Sequence, residues 1–100
     1  MSGKNAVVLG DIGTDHGDFP PTPVITGYWN VLLNGKPAVT LDDSLAPHSK
    51  PDHPPHGRTI VSGSATVFIN GKPAAMTGSS ISCGGVVIGS SKVFIGDGRP

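Results

Sequence analysis

Hydrophobic positions along this chain fall in short runs that glycine or an Asn-Gly pair cuts off. Val31-Leu32-Leu33 stops at Asn34-Gly35, Val67-Phe68-Ile69 stops at Asn70-Gly71, and Val93-Phe94-Ile95 stops at Gly96. Asn-Gly favours positive φ at both positions, as a two-residue hairpin turn requires. Each run therefore predicts an apolar strand, a tight turn and a return strand. Helices are excluded by punctuation. With 15 Gly and 10 Pro in 100 residues, the longest stretch free of both is residues 38–46, nine residues and shorter than an average helix. The expected class is all-β, built from short hairpins with no regular helix.

The runs belong to a longer repeat. Val31-Leu32-Leu33-Asn34-Gly35-Lys36-Pro37-Ala38 recurs as Val67-Phe68-Ile69-Asn70-Gly71-Lys72-Pro73-Ala74, and a degenerate third copy is Val93-Phe94-Ile95-Gly96-Asp97-Gly98-Arg99-Pro100. A glycine stands four residues before each leading valine, at Gly27, Gly63 and Gly89. The segments after the return strands also correspond. Ala6 precedes His16 by ten residues, Ala38 precedes His48 by ten, and Ala74 precedes Cys83 by nine. Cut at the Pro-Ala junctions, a single domain over residues 1–100 divides into units of about 6–37, 38–73 and 74–100. The chain opens and closes at the same point of the unit, which predicts a ring with pseudo-threefold symmetry. Tyr28 and Trp29 stand where the other units have small residues, and they are expected to pack locally over a strand edge, with a contact surface as the alternative.

In such a ring, equivalent positions converge on the axis, so residues remote in sequence meet. The convergent set is chemically distinctive: His16, His48, His56 and Cys83, with His53 as a reserve inside the His/Pro-rich loop at residues 47–56. His16, His56 and Cys83 are each followed by glycine, and His48 shares the offset of His16 from its alanine. Three imidazoles and a thiolate suit one zinc ion in a closed tetrahedral site, although the residues leave iron open. A staple of this kind answers a physical need. Gly, Pro, Ser and Thr contribute little to a core, and small domains with thin cores rely on disulfides, metals or partners. Cys83 is the only cysteine, so a disulfide within the chain is excluded.

Charge and hydropathy remove other classes. Lys plus Arg equals Asp plus Glu, at seven each, and no basic cluster forms, which argues against nucleic acid. The apolar run at residues 6–9 is too short for a secretory segment, and nothing approaches a membrane span. Synthesis in the cytosol without a signal peptide is therefore expected, and so is no stable membrane insertion. Asp11, Asp15 and Asp18 lack the alternation and terminal Glu of a calcium loop and are expected to be turn and surface carboxylates. A Cys-His nucleophile pair is conceivable with Cys83, but metal ligation accounts for the same residues more simply. No enzyme activity is expected.

The combined motifs, Asn-Gly-Lys-Pro-Ala with an upstream glycine and a His-Gly or Cys-Gly opening, resemble the PAAR-repeat proteins from Asn5 to Gly98. Gly10-Asp11 with Asp15-His16-Gly17-Asp18-Phe19-Pro20-Pro21 is similar to the opening of phage-type, single-domain members. The resemblance implies a small conical fold that caps the trimeric β-helix spike of a contractile machine, a phage tail or a type VI secretion system, and helps pierce the target envelope. It also implies a zinc near the apex held by three His and one Cys, which are the places of His16, His48, His56 and Cys83. The implied partner is a trimeric β-helix spike protein (VgrG-like or a phage central spike), one tip per trimer, with no self-oligomer. The implied location is the virion tail tip or, through the machine, the cell exterior. The tetrapeptide that names the family appears here only as Pro37-Ala38-Val39-Thr40 and Pro73-Ala74-Ala75-Met76. The toxin domains fused to some relatives are expected to be absent. Residues near Val31, Val67 and Val93 are expected to form the spike-facing base. A zinc-binding adaptor that links effectors to a spike is the alternative.

Overall fold

A computed structural model describes residues 3–14, 19–50 and 53–96. Those residues contain strands and turns and no helix, as the punctuation by Gly and Pro requires. The strands are β1 (Lys4–Asn5), β2 (Ile12–Gly13), β3 (Thr22–Pro23), β4 (Tyr28–Leu33), β5 (Lys36–Ala38), β6 (Ser44–Lys50), β7 (His53–Thr59), β8 (Phe68–Ile69), β9 (Lys72–Pro73), β10 (Val87–Ile88) and β11 (Phe94–Ile95). The two Asn-Gly turns behave as expected. Asn34 and Gly35 have φ of 56° and 81°, and Asn70 and Gly71 have 52° and 85°. They close the hairpins β4–β5, with Leu33 opposite Lys36, and β8–β9, with Ile69 opposite Lys72.

The third hairpin is assembled from the two ends of the chain. β11 pairs with β1, placing Ile95 opposite Lys4 and Phe94 opposite Asn5. This is the register of the other two hairpins, so Lys4-Asn5-Ala6 takes the place of Lys-Pro-Ala. The return strand expected after Ile95 thus comes from the N-terminal segment, and Asp97 to Pro100 lie outside the described residues. The ring is closed.

Hydrogen bonds around the axis repeat three times. The Val7 amide donates to the Ala75 carbonyl (3.0 Å), Ala75 to Val39 (2.9 Å), and Val39 back to Val7 (3.2 Å). One layer outward, Leu9 donates to Pro37, Leu41 to Pro73 and Thr77 to Asn5, at 2.9–3.0 Å. The turns that follow are capped alike. The Asp11 carboxylate accepts from the Val8 amide (2.9 Å), that of Asp43 from Thr40 (2.8 Å), and the Ser79 hydroxyl from Met76 (3.1 Å). Asp11 is therefore a turn residue, as expected, but it is buried and not at the surface, because it also accepts from the Ser90 amide at 3.0 Å. Asp15 and Asp18 lie outside the described residues.

Two apolar clusters stack along this axis. Ala6, Ala74 and Ile95, joined by Leu33 and Ile69, lie at the hairpin end. Val7, Val24, Val39, Leu45, Ile60, Ala75, Ile81 and Val87 form the larger cluster, against which Cys83 packs. The symmetry breaks where three side chains would collide. Gly13, Leu45 and Ile81 are equivalent, opposite Val87, Val24 and Ile60. A Cβ on Gly13 would stand 2.3 Å from Leu45 Cδ2 and 2.6 Å from Ile81 Cδ1. Two large side chains fill the axis, so the third must be absent.

Trp29 departs from the expectation of local packing. It is 72% exposed, while its neighbour Tyr28 is half-buried opposite Ala38.

The glycines before the apolar runs lie where each strand crosses its return strand, and a side chain there would meet backbone. An added Cβ would come within 2.3 Å of the Asn5 oxygen at Gly89, but 3.0 Å of the Ala38 oxygen at Gly27. Gly89→Ala is expected to destabilise by about 1–3 kcal/mol and Gly27→Ala by clearly less, as urea midpoints will show. Asp11→Ala leaves two amides without their acceptor and is expected to cost about 1–3 kcal/mol by the same measurement.

Candidate metal centre

The His/Pro-rich segment expected as a loop instead lies in the longest hairpin among the described residues. β6 and β7 pair antiparallel, with Ser44 opposite Thr59 and His48 opposite His56. The register shifts on either side of His48, which marks bulges. Proline is tolerated here because a two-stranded ribbon consists of edges, where a missing amide leaves no ladder bond unmade. Opposed residues project to one face, so the ribbon brings both imidazoles to the same side. The ring centroids are 4.5 Å apart.

Cys83 arrives from the third unit. Ile60 bridges to Ile81, and the Ser82 amide donates to the Thr59 carbonyl at 2.8 Å, which seats the Cys83 turn beside β7. Gly84 and Gly85 follow with φ of 113° and 85°, so the chain reverses immediately after the cysteine. One ligand atom each from His48, His56 and Cys83 lies within 4.8 Å of the others. His48 Nε2 stands 3.6 Å from Cys83 Sγ. A nitrogen at about 2.0–2.1 Å and a sulfur at about 2.3 Å from one tetrahedral zinc would also be about 3.6 Å apart. The donor set and this spacing fit a zinc ion.

The surroundings orient the imidazole for that use. His48 is 2% exposed, and its Nδ1 lies 2.7 Å from the Pro20 carbonyl. A carbonyl can only accept, so Nδ1 carries a proton, and in the neutral ring Nε2 offers its lone pair toward Cys83. Phe19 stacks on His48 at 4.9 Å and meets His56 edge-on at 4.6 Å, covering both rings with an apolar plate. The Phe19-Pro20 segment thus serves the site through its backbone and its ring.

Arg58 lies directly beneath. It is 1% exposed, and Nε donates to Cys83 Sγ at 3.2 Å. Nη1 donates to Thr22 Oγ1 at 3.0 Å and Gly13 O at 3.4 Å, and Nη2 to Gly84 O at 3.3 Å and to Thr14 O. A buried guanidinium is tolerable because its donors are met by acceptors.

Of the expected ligands, His48, His56 and Cys83 come together. His16 lies outside the described residues. His53 sits at the ribbon tip with its backbone opposite Lys50, and its side chain is likewise outside the description. Sequence reasoning missed Phe19, Pro20 and Arg58. The equivalents of Arg58 are Thr22 and Gly85, so the repeat carries no signal for it. The apolar trios place Val67 and Val93 at 38% and 37% exposure and Val31 half-buried, while Leu32, Phe68 and Phe94 are more exposed.

Cys83→Ser is expected to reduce bound transition metal from one equivalent to well below it and to lower the melting temperature. A strong chelator is expected to give the wild type a comparable drop. Elemental analysis paired with calorimetry checks both.

A sequence model of the PAAR motif matches residues 9–89 of the chain. No curated protein matches it.

Proposed function

Because the chain belongs to the PAAR-motif family, we propose that it is the metal-stabilised tip of a contractile injection apparatus, seated on the blunt end of a trimeric β-helix spike. The reading is structural, with no catalytic step. His48, His56 and Cys83 would hold the ion, with His16 as the fourth ligand. Zinc bound there would supply folding free energy and tie the middle unit to its neighbours, since a closed site leaves no position for a reacting water.

The observation that carries the spike assignment is at the other end of the axis. Leu32, Phe68 and Phe94 occupy one repeat position and are 53%, 56% and 64% exposed. The pseudo-threefold thus gives the hairpin end three matching exposed apolar side chains, which a true threefold partner could meet without a symmetry clash. Such a partner would exclude this apolar surface from water, while the cap would cover strand edges that otherwise invite aggregation. The valines of the trios precede these residues in each strand and would border the same contact.

Light scattering coupled to size exclusion is expected to give one tip per three spike chains. Phe68→Asp with Phe94→Asp is expected to abolish that complex while leaving metal content unchanged. A wild-type tip that elutes separately from the trimer would contradict the assignment.

A further inference from the structure

We propose that Arg58 is an outer-shell residue of the metal centre, positioning the Cys83 sulfur and joining all three units just beneath the ligands. The inference rests on the reading of His48, His56 and Cys83 as a metal site. It goes beyond that reading in assigning the placement of the thiol to the protein and not to the ion alone.

Its donors reach acceptors in both other units. Thr22, Gly13 and Thr14 belong to the first unit, Arg58 to the second, and Cys83 and Gly84 to the third. One side chain therefore bonds to every unit at a single level of the axis. The planar fork is suited to this, because its N–H vectors diverge at fixed angles and contact several groups without bending. The bond from Nε to Cys83 Sγ restricts the sulfur, while the bond to Gly84 O restricts the turn that carries it.

Space for the guanidinium exists only because the symmetry is broken around it. Arg58, Thr22 and Gly85 are equivalent, two residues before Ile60, Val24 and Val87. Three arginines could not share the axis, and the equivalent threonine instead supplies a hydroxyl acceptor. A Cβ on Gly13 would stand 3.4 Å from Nη1, so the missing side chain at Gly13 also leaves room for Arg58. An apolar side chain of similar size would fill the volume but leave the Gly13, Thr14 and Gly84 carbonyls without this donor. Outer-shell partners of this kind typically change metal affinity by about 10–100-fold when removed.

The test begins with the wild-type protein loaded with cadmium-113. One equivalent of cadmium should bind, and the Arg58 Nε–H proton should show scalar coupling to the metal through the hydrogen bond to sulfur. Arg58→Lys keeps the charge and loses the fork. It should release metal to a chromophoric chelator with about 10–100-fold weaker affinity, and its cobalt-loaded form should show a shifted sulfur-to-metal charge-transfer band. Stoichiometric cadmium without coupling to Arg58 would overturn this proposal and leave the metal site standing. Failure of the wild type to bind cadmium would overturn both. If Arg58→Lys does not fold, the wild-type coupling decides alone. A folded Arg58→Lys with unchanged affinity and spectrum would show a packing residue and nothing more.

Discussion

The structure depends on closing a ring of three short backbone segments around one axis. Val7, Ala75 and Val39 each donate to the next, and every residue there is held between two others. No unit can bury its apolar face alone, because each hairpin is only a few residues long and its partner surfaces come from the other two. The ring is therefore cooperative by construction. Its interior is too narrow for uniform filling, which explains why the repeat is imperfect where it is. Gly13 stands against Leu45 and Ile81, and a threonine and a glycine, Thr22 and Gly85, hold the places equivalent to Arg58. The degeneracy of the units follows from crowding on the axis.

Closure also explains how so few apolar residues suffice. The strand that begins at Lys4 completes the hairpin that ends at Ile95, so two segments remote in sequence share one element. A loop of almost the whole chain is closed by that pairing, at an entropic cost that grows only slowly with length. The larger apolar cluster then lies between the hairpins and the histidine-cysteine end, with Cys83 resting on it. An ion at that end would clamp segments from different units. The hydrogen-bonded ring, the guanidinium of Arg58 and the candidate ligands are three successive ties along one axis.

Much of this was legible in the sequence, for a physical reason. Asn-Gly turns and glycines at close crossings depend on local backbone geometry, which leaves its mark on residue identity whatever the rest of the fold does. The same holds for the cluster of His48, His56 and Cys83, because only a few residue types offer metal-ligating atoms, and the repeat put His48 and Cys83 within one position of equivalence. The split third hairpin was harder to read, since Lys4-Asn5 keeps the lysine of the return strand and loses its proline. The ribbon at residues 44–59 was hidden by its prolines, which read as a loop unless the strands are known to be edges. Arg58 left no trace because its role arises where symmetry fails, and a repeat comparison detects only what is shared. The exposure of Trp29 depends on what surrounds it, which no local pattern specifies.

X-ray absorption at the metal edge of the protein as isolated reads which atoms hold the ion. A closed site of three imidazoles and one thiolate requires zinc with one sulfur at about 2.3 Å and three nitrogens at about 2.0–2.1 Å, and no further light atom bound to it. A metal bound through oxygen and nitrogen alone, or a native protein with no stoichiometric metal, would contradict it.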